Sequence, residues 1–166
     1  MKEKCCPQDF CPSGLKPEQA ARIVEGLNIY LANLNILYIK LHNFHWNVIG
    51  TGFFPLHEKT QELYEAIAEE LDEVAERIRA LGCFPLASMR DYLAIGTMCE
   101  LPGEEYPSPF VAKVIIEDFC TMLSLVRRID SIVKETPDQC TAGLLADAMC
   151  FFEKQMWMMD AYLTRC

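Results

Sequence analysis

The stretch LHNFHWNVIGTGFFPLH, residues 41–57, contains all three histidines of a 166-residue chain: His42, His45 and His57. Further on, LDEVAER places Asp72 and Glu76 four residues apart, a spacing that stacks two side chains on one face of a helix. Imidazoles are the commonest side-chain ligands for transition metals, and carboxylates add the charge that holds a divalent ion. The ordinary alternatives are a structural histidine at a helix end and a solvated acidic face, since eight carboxylates fall between Glu58 and Glu76.

Geometry limits how these groups can cooperate. Fifteen residues separate His57 from Asp72, which is about 22 Å along one helix at about 1.5 Å per residue. A metal–ligand bond is only about 2 Å. His57 and Asp72 of one chain therefore cannot share an ion, and His45, at the same turn, is no better placed. Either the histidines and the acids are unrelated, or a second subunit completes the site. A two-fold antiparallel pair would bring the histidine end of one chain to the acidic segment of the other, twice. A di-iron centre inside a helical bundle would need Glu-x-x-His steps. The residues three before each histidine are Ile39, His42 and Phe54, so that arrangement is not expected.

The elements that must position these residues read as four long helices. The first begins near Pro17, and Ile23, Leu27, Tyr30, Leu34, Leu37 and Leu41 form its apolar stripe until Gly50 and Gly52 end it. The second opens near Pro55, carries Leu56, Leu63, Ile67, Val74, Ile78 and Leu81, and closes at Gly82. A third runs from about Pro109 to Glu135 with Val114, Phe119, Met122, Leu125, Val126 and Ile129. Pro137 breaks it, and Asp138 can cap a fourth carrying Leu144, Leu145, Ala148, Phe152, Met159 and Tyr162. Strand-like alternation is absent. The pattern predicts an all-α, four-helix bundle with a short extra helix (SMRDYLAIGTM, 88–98) in the crossover between helices two and three. Residues 1–16 read as a Cys-containing tail and 17–166 as a single domain.

Composition sets outer bounds. A net charge of −9 makes nucleic acid a poor partner, because phosphate binding needs Lys and Arg. The tail adds no basic arm, with Lys2, Lys4 and Lys16 against Glu3 and Asp9. No run is long and apolar enough for a membrane span, and the start has no apolar signal segment. A reducing cytoplasm is the expected compartment. Nine cysteines do not suit a disulfide framework. Cys83, Cys99, Cys120, Cys140 and Cys150 read as reduced, partly buried thiols, with Cys120 and Cys150 among apolar helical residues. Cys5, Cys6 and Cys11 cluster in the tail, with Cys166 at the other terminus, and CCPQDFC lacks a second pair at zinc-finger spacing.

HNFHW, then FFPLH, then LDEVAER, at these separations, resembles the Dps proteins, the mini-ferritins of the ferritin-like superfamily. The likeness extends to the closing EKQMWMMDAYL and covers about residues 17–164. The resemblance implies a ferritin-like bundle that binds Fe(II), oxidises it with hydrogen peroxide or dioxygen, and stores ferric iron in a hollow dodecamer, protecting against oxidative damage. It implies an iron site between two-fold-related subunits, with His45 and His57 from one chain and Asp72 and Glu76 from its neighbour. Trp46 matches the tryptophan that takes up stray oxidising equivalents. Zinc would compete for such ligands. His42 falls where the family often has a further histidine, with packing or hydrogen bonding as its alternative role. Gln61 stands where many members place an acid, which weakens the case for a second iron. PDQCTAGLLAD resembles the segment lining the acidic iron-entry pores, with Asp138 and Asp147 as pore carboxylates and Gly143 where a third is often found.

Overall fold

The computed structural model describes residues 13–164, so Cys5, Cys6, Cys11 and Cys166 lie outside the described residues. Four long helices account for most of the fold: α1 (Pro17–Asn47), α2 (Phe53–Ala80), α4 (Ser108–Val133) and α5 (Gln139–Leu163). A seven-residue α3 (Met89–Ile95) lies in the crossover between α2 and α4. The predicted helix order therefore holds, and the extra helix occupies the middle of the expected 88–98 segment.

Local chemistry explains the ends. Pro17 sits in the first turn of α1, where no amide donor is needed, and the Lys16 amide donates to the Gln19 side chain at 3.2 Å. At the end of α2, Gly82 adopts φ +83, a conformation without cost only for glycine. The Cys83 amide then reaches back to the Ile78 carbonyl at 3.1 Å and the Gly82 amide to Arg79 at 2.9 Å. Those two bonds satisfy carbonyls that a bare helix end would orphan. Ser88 caps α3 through the Asp91 amide at 3.2 Å, and Asp138 caps α5 through the Thr141 amide at 3.0 Å.

α1 and α2 form one antiparallel hairpin and α4 and α5 another, with α1 also lying against α4 and α3. The predicted stripes fill the space between them. Leu27, Leu34, Leu37 and Leu41 of α1, Leu56, Leu63 and Ile67 of α2, Phe119 and Val126 of α4 and Phe152 of α5 are all buried. Each such side chain contributes about 2 kcal/mol by leaving water. Val114, Leu125, Leu144 and Tyr162 are half-buried at the edges of their stripes. Leu15, assigned by sequence to the tail, is buried with this core.

Two features depart from the sequence reading. Val48–Ile49 (β1) and Tyr106–Pro107 (β2) form a two-residue parallel pair, Val48 opposite Tyr106, that ties the end of the crossover to the α1–α2 turn. Of the five described thiols, only Cys83 is buried; Cys99, Cys120, Cys140 and Cys150 are exposed. The buried α4 positions 115, 119, 122 and 126 follow the helical period, and Cys120 falls one residue off that line.

Polar contacts fix the crossover. Asn33 of α1 is fully buried, and its side-chain oxygen accepts from the Thr97 amide at 2.8 Å and the Met98 amide at 3.0 Å. Lys40 of α1, also buried, is paired with Asp118 of α4 at 2.9 Å. No helix among the described residues is long and apolar enough to cross a membrane.

Candidate metal centre

The last turns of α1 carry His42, His45 and Trp46, and His57 lies in the second turn of α2. The connection is short because two glycines let it fold tightly. Gly50 takes φ +99, and a Cβ on Gly52 would collide with the Tyr162 hydroxyl and sit 2.8 Å from Ser108.

This turn lays the rings of His45 and His57 face to face, centroids 3.8 Å apart and planes 18° from parallel. The two residues also exchange hydrogen bonds. His45 Nδ1 donates to the His57 carbonyl at 2.7 Å, and His57 Nδ1 donates to the His45 carbonyl at 2.7 Å. A carbonyl only accepts, so Nδ1 carries the proton in each neutral ring and each Nε2 keeps its lone pair. Orienting the ring through one nitrogen while the other faces a metal is how ligating histidines are held. Thr60, buried one turn on, donates to the Leu56 carbonyl at 2.7 Å and to the His57 carbonyl at 3.1 Å. Phe53 stacks on His57 at 5.2 Å, and Tyr64 meets His45 edge-on at 5.4 Å. His45 is 8% exposed, so its orientation is set by packing on most sides.

His42 is placed differently. Its Nδ1 donates to the Tyr38 carbonyl of its own helix at 2.9 Å, and its ring stacks on Tyr64 at 3.9 Å. Trp46 meets His42 edge-on at 5.3 Å and is 66% exposed. The rings thus form a continuous series, Trp46, His42, Tyr64, His45, His57, Phe53, that runs from the surface to the stacked pair.

The acids lie elsewhere. α2 runs unbroken from Phe53 to Ala80, so the separation of about 22 Å between His57 and Asp72 stands. Asp72 and Glu76 are both exposed, one turn apart, and neither enters a salt bridge among the described residues. Among those residues no group of three or more His, Cys, Asp and Glu converges within the chain. The structure therefore brings His45 to His57, and Asp72 beside Glu76, but not one pair to the other. Gln61 is exposed one turn after His57 and donates to Glu65 at 2.9 Å. Large apolar side chains near the histidines in sequence stand in solvent, among them Ile39, Trp46 and Phe54, the last 75% exposed.

The two pore candidates differ from each other. Asp147 is exposed on α5. Asp138 has a side chain only 2% exposed, pairs with Arg77 at 2.6 Å and accepts from the Thr141 hydroxyl at 2.6 Å. Burial pushes its carboxyl up, but the bonds from Thr141 and Arg77 outweigh that and hold it below the usual carboxylate range. Its carboxylate is occupied as a helix cap and ion-pair partner, so of the two only Asp147 presents an exposed acid.

A pair linking α1 to α2 escaped the sequence reading. Tyr30 of α1 is fully buried and donates to Glu70 of α2 at 3.0 Å. Burial raises the Glu70 carboxyl to about 7, against the Tyr30 bond that lowers it and with help from the charges of Glu73 and Asp147. Thr60 and Tyr64 also escaped it, although each lies on the His57 face of α2 at helical spacing, three and seven residues on.

Comparison with known proteins identifies the family. The family model for the ferritin-like domain matches residues 24–166. A "DNA protection during starvation protein 2" of Bacillus anthracis is 39% identical over 144 residues, spanning 87% of this chain and 98% of that protein. Among solved structures, antigen TpF1 of Treponema pallidum superposes with a TM-score of 0.88 at 32% identity, over 90% of this chain and 97% of that one. A Dps protein of Vibrio cholerae, described as a member of a broad superfamily of ferritin-like diiron-carboxylate proteins, gives 0.87 at 32% identity over 90% and 94%. By sequence and fold, the chain belongs to the Dps proteins of the ferritin-like family.

Proposed function

We propose that this chain is a ferroxidase and iron store whose reaction site forms between two subunits, from His45 and His57 of one and Asp72 and Glu76 of the other. The observation that carries the reading is the reciprocal Nδ1–carbonyl exchange, which leaves two Nε2 lone pairs on stacked, pre-oriented rings. Two neutral imidazoles suit Fe(II), and the carboxylates favour the harder Fe(III) as charge rises, so the mixed set drives the oxidation forward. Hydrogen peroxide takes one electron from each of two ferrous ions and, with two protons, ends as two waters. Gln61 in place of an acid makes the second iron position the weaker one.

Trp46, exposed and joined to the pair through His42 and Tyr64, is placed to take up an oxidising equivalent that would otherwise leave as hydroxyl radical. The ferric product is stored in a hollow dodecamer in the cytoplasm, with Asp147 at an iron entry route. The exposed Ile39, Trp46 and Phe54 beside the half-site are the surface that a two-fold neighbour covers. Zn(II), which takes the same ligands and has no redox chemistry, competes with iron. Protection of DNA, which names the bacterial relatives, runs here through removal of iron and peroxide, because a charge of −9 opposes contact with phosphate.

The test is to load the protein with Fe(II) without air, add hydrogen peroxide and follow ferric absorbance beside a protein-free control. Fast conversion to a soluble ferric product with little trapped hydroxyl radical is expected. Kinetics equal to the control overturn the proposal.

A further inference from the structure

On the α4–α5 face, Cys120 and Met156 place their sulfurs 3.4 Å apart, with the thiol donating to the thioether. They lie in an open groove of about 640 Å³ whose walls include Leu123, Arg127, Trp157 and Asp160. We propose that this sulfur pair is a binding site for a soft monovalent cation, Cu(I), separate from the iron site and independent of the iron chemistry above.

The S–H···S contact is a proton held between two soft donors on different helices, and a d10 cation can take the proton's place. A metal about 2.3 Å from each sulfur, with the sulfurs 3.4 Å apart, subtends an angle of roughly 95°. A near-linear pair of bonds would place the sulfurs about 4.6 Å apart, so side-chain rotation accompanies binding. Thiolate and thioether together select Cu(I); Fe(II) and Zn(II) gain little from an uncharged thioether. The site is reachable, because Cys120 is exposed and Met156 half-buried. Trp157, 68% exposed and lining the same groove, offers an indole face for a cation. The charges favour a cation as well: Arg127 is paired with Glu153 at 2.9 Å, which leaves Asp160 as the unbalanced charge on the lining. Binding is a ligand exchange with no redox step. The Cys120 S–H bond breaks, its proton goes to solvent, and Cu(I) bonds to the thiolate and to the Met156 thioether.

The experiment uses the full chain, free of iron, with Cys5, Cys6, Cys11, Cys99, Cys140, Cys150 and Cys166 replaced by serine so that their thiols do not compete. Cu(I) is supplied without oxygen from a chromophoric chelator such as bicinchoninate. The protein is expected to withdraw Cu(I) from the chelator with a near-ultraviolet thiolate-to-copper band. Met156→Leu, which keeps the volume and every thiol, should weaken uptake at least tenfold, and Cys120→Ser should remove that band's contribution. Uptake unchanged in both variants, or lowered by Cys120→Ser alone, overturns the paired site and leaves a packing contact beside an ordinary thiol.

Discussion

His45 and His57 orient one another: each ring's Nδ1 donates to the other's backbone carbonyl at 2.7 Å, across rings stacked 3.8 Å apart. One short turn thus fixes both the tautomer and the direction of two imidazoles twelve residues apart in sequence. In the proposed site, this pre-orientation lowers the entropy a metal must overcome to collect its ligands.

Removing either half of the site should separate activity from stability. His57→Ala deletes one neutral hydrogen bond and a half-buried ring, a loss of about 1 kcal/mol, whereas Asp72→Ala is at an exposed position and should stay within about 0.5 kcal/mol of wild type. Both should slow peroxide-driven iron oxidation at least tenfold. Parallel denaturation curves and stopped-flow ferric absorbance check the pair.

Gly52→Ala tests the turn. The added Cβ meets the Tyr162 hydroxyl and Ser108, so either the turn or the end of α5 must move. A loss of about 2 kcal/mol is expected, in the range for overpacking a tight site. Iron oxidation should fall although no ligand has changed. Wild-type rates in a destabilised variant would separate the turn from the chemistry.

Asp138→Ala removes the cap of α5 and leaves Arg77, whose side chain is 14% exposed, without its carboxylate partner and with its Nε bond to the Thr141 hydroxyl. Breaking such a pair costs about 3 kcal/mol. The folded carboxyl lies below its ordinary value, so its contribution is complete above the ordinary carboxylate range and is lost as pH falls through the lowered value. The wild type should therefore lose more stability than the variant on acidification, read as thermal midpoints from neutral pH downward.

Glu70 has the opposite sign. Its carboxyl is raised from 4.5 to about 7, so the folded state holds a proton that the unfolded chain releases. Stability from this group is greatest below 4.5 and declines as pH rises through about 7. In metal-free protein, Glu70→Gln should flatten that decline and be the more stable of the two above pH 7. Equal slopes in thermal denaturation across this window would contradict the assignment.

The helices were readable because apolar residues recur with the helical period, and their ends because Pro17, Gly82 and Asp138 supply start and stop chemistry within a few residues. That His57 and Asp72 of one chain cannot share an ion followed from helix rise alone, whereas their assignment to one two-subunit ligand set came from the family resemblance. Contacts across the bundle were not readable. Tyr30 and Glu70 are forty residues apart and meet only through packing, and the stacking of His45 on His57 depends on backbone angles at Gly50. Cys120 and Cys150 have apolar neighbours in sequence, yet each points off its helix's buried stripe, so neighbour composition misled where helical phase would not. A two-residue strand pair is too short to leave an alternation.

The most direct test of the central claim, that the site spans two subunits, is complementation. His57→Ala and Asp72→Ala chains are each expected to be inactive, but co-assembled they form mixed two-fold pairs. In such a pair one site receives both lesions and the other receives intact histidines from one chain and intact acids from its neighbour. With random pairing, about a quarter of the sites are restored. Recovery of peroxide-driven iron oxidation to that fraction of wild type is the predicted result. Mixed assemblies as inactive as either parent would contradict a shared site.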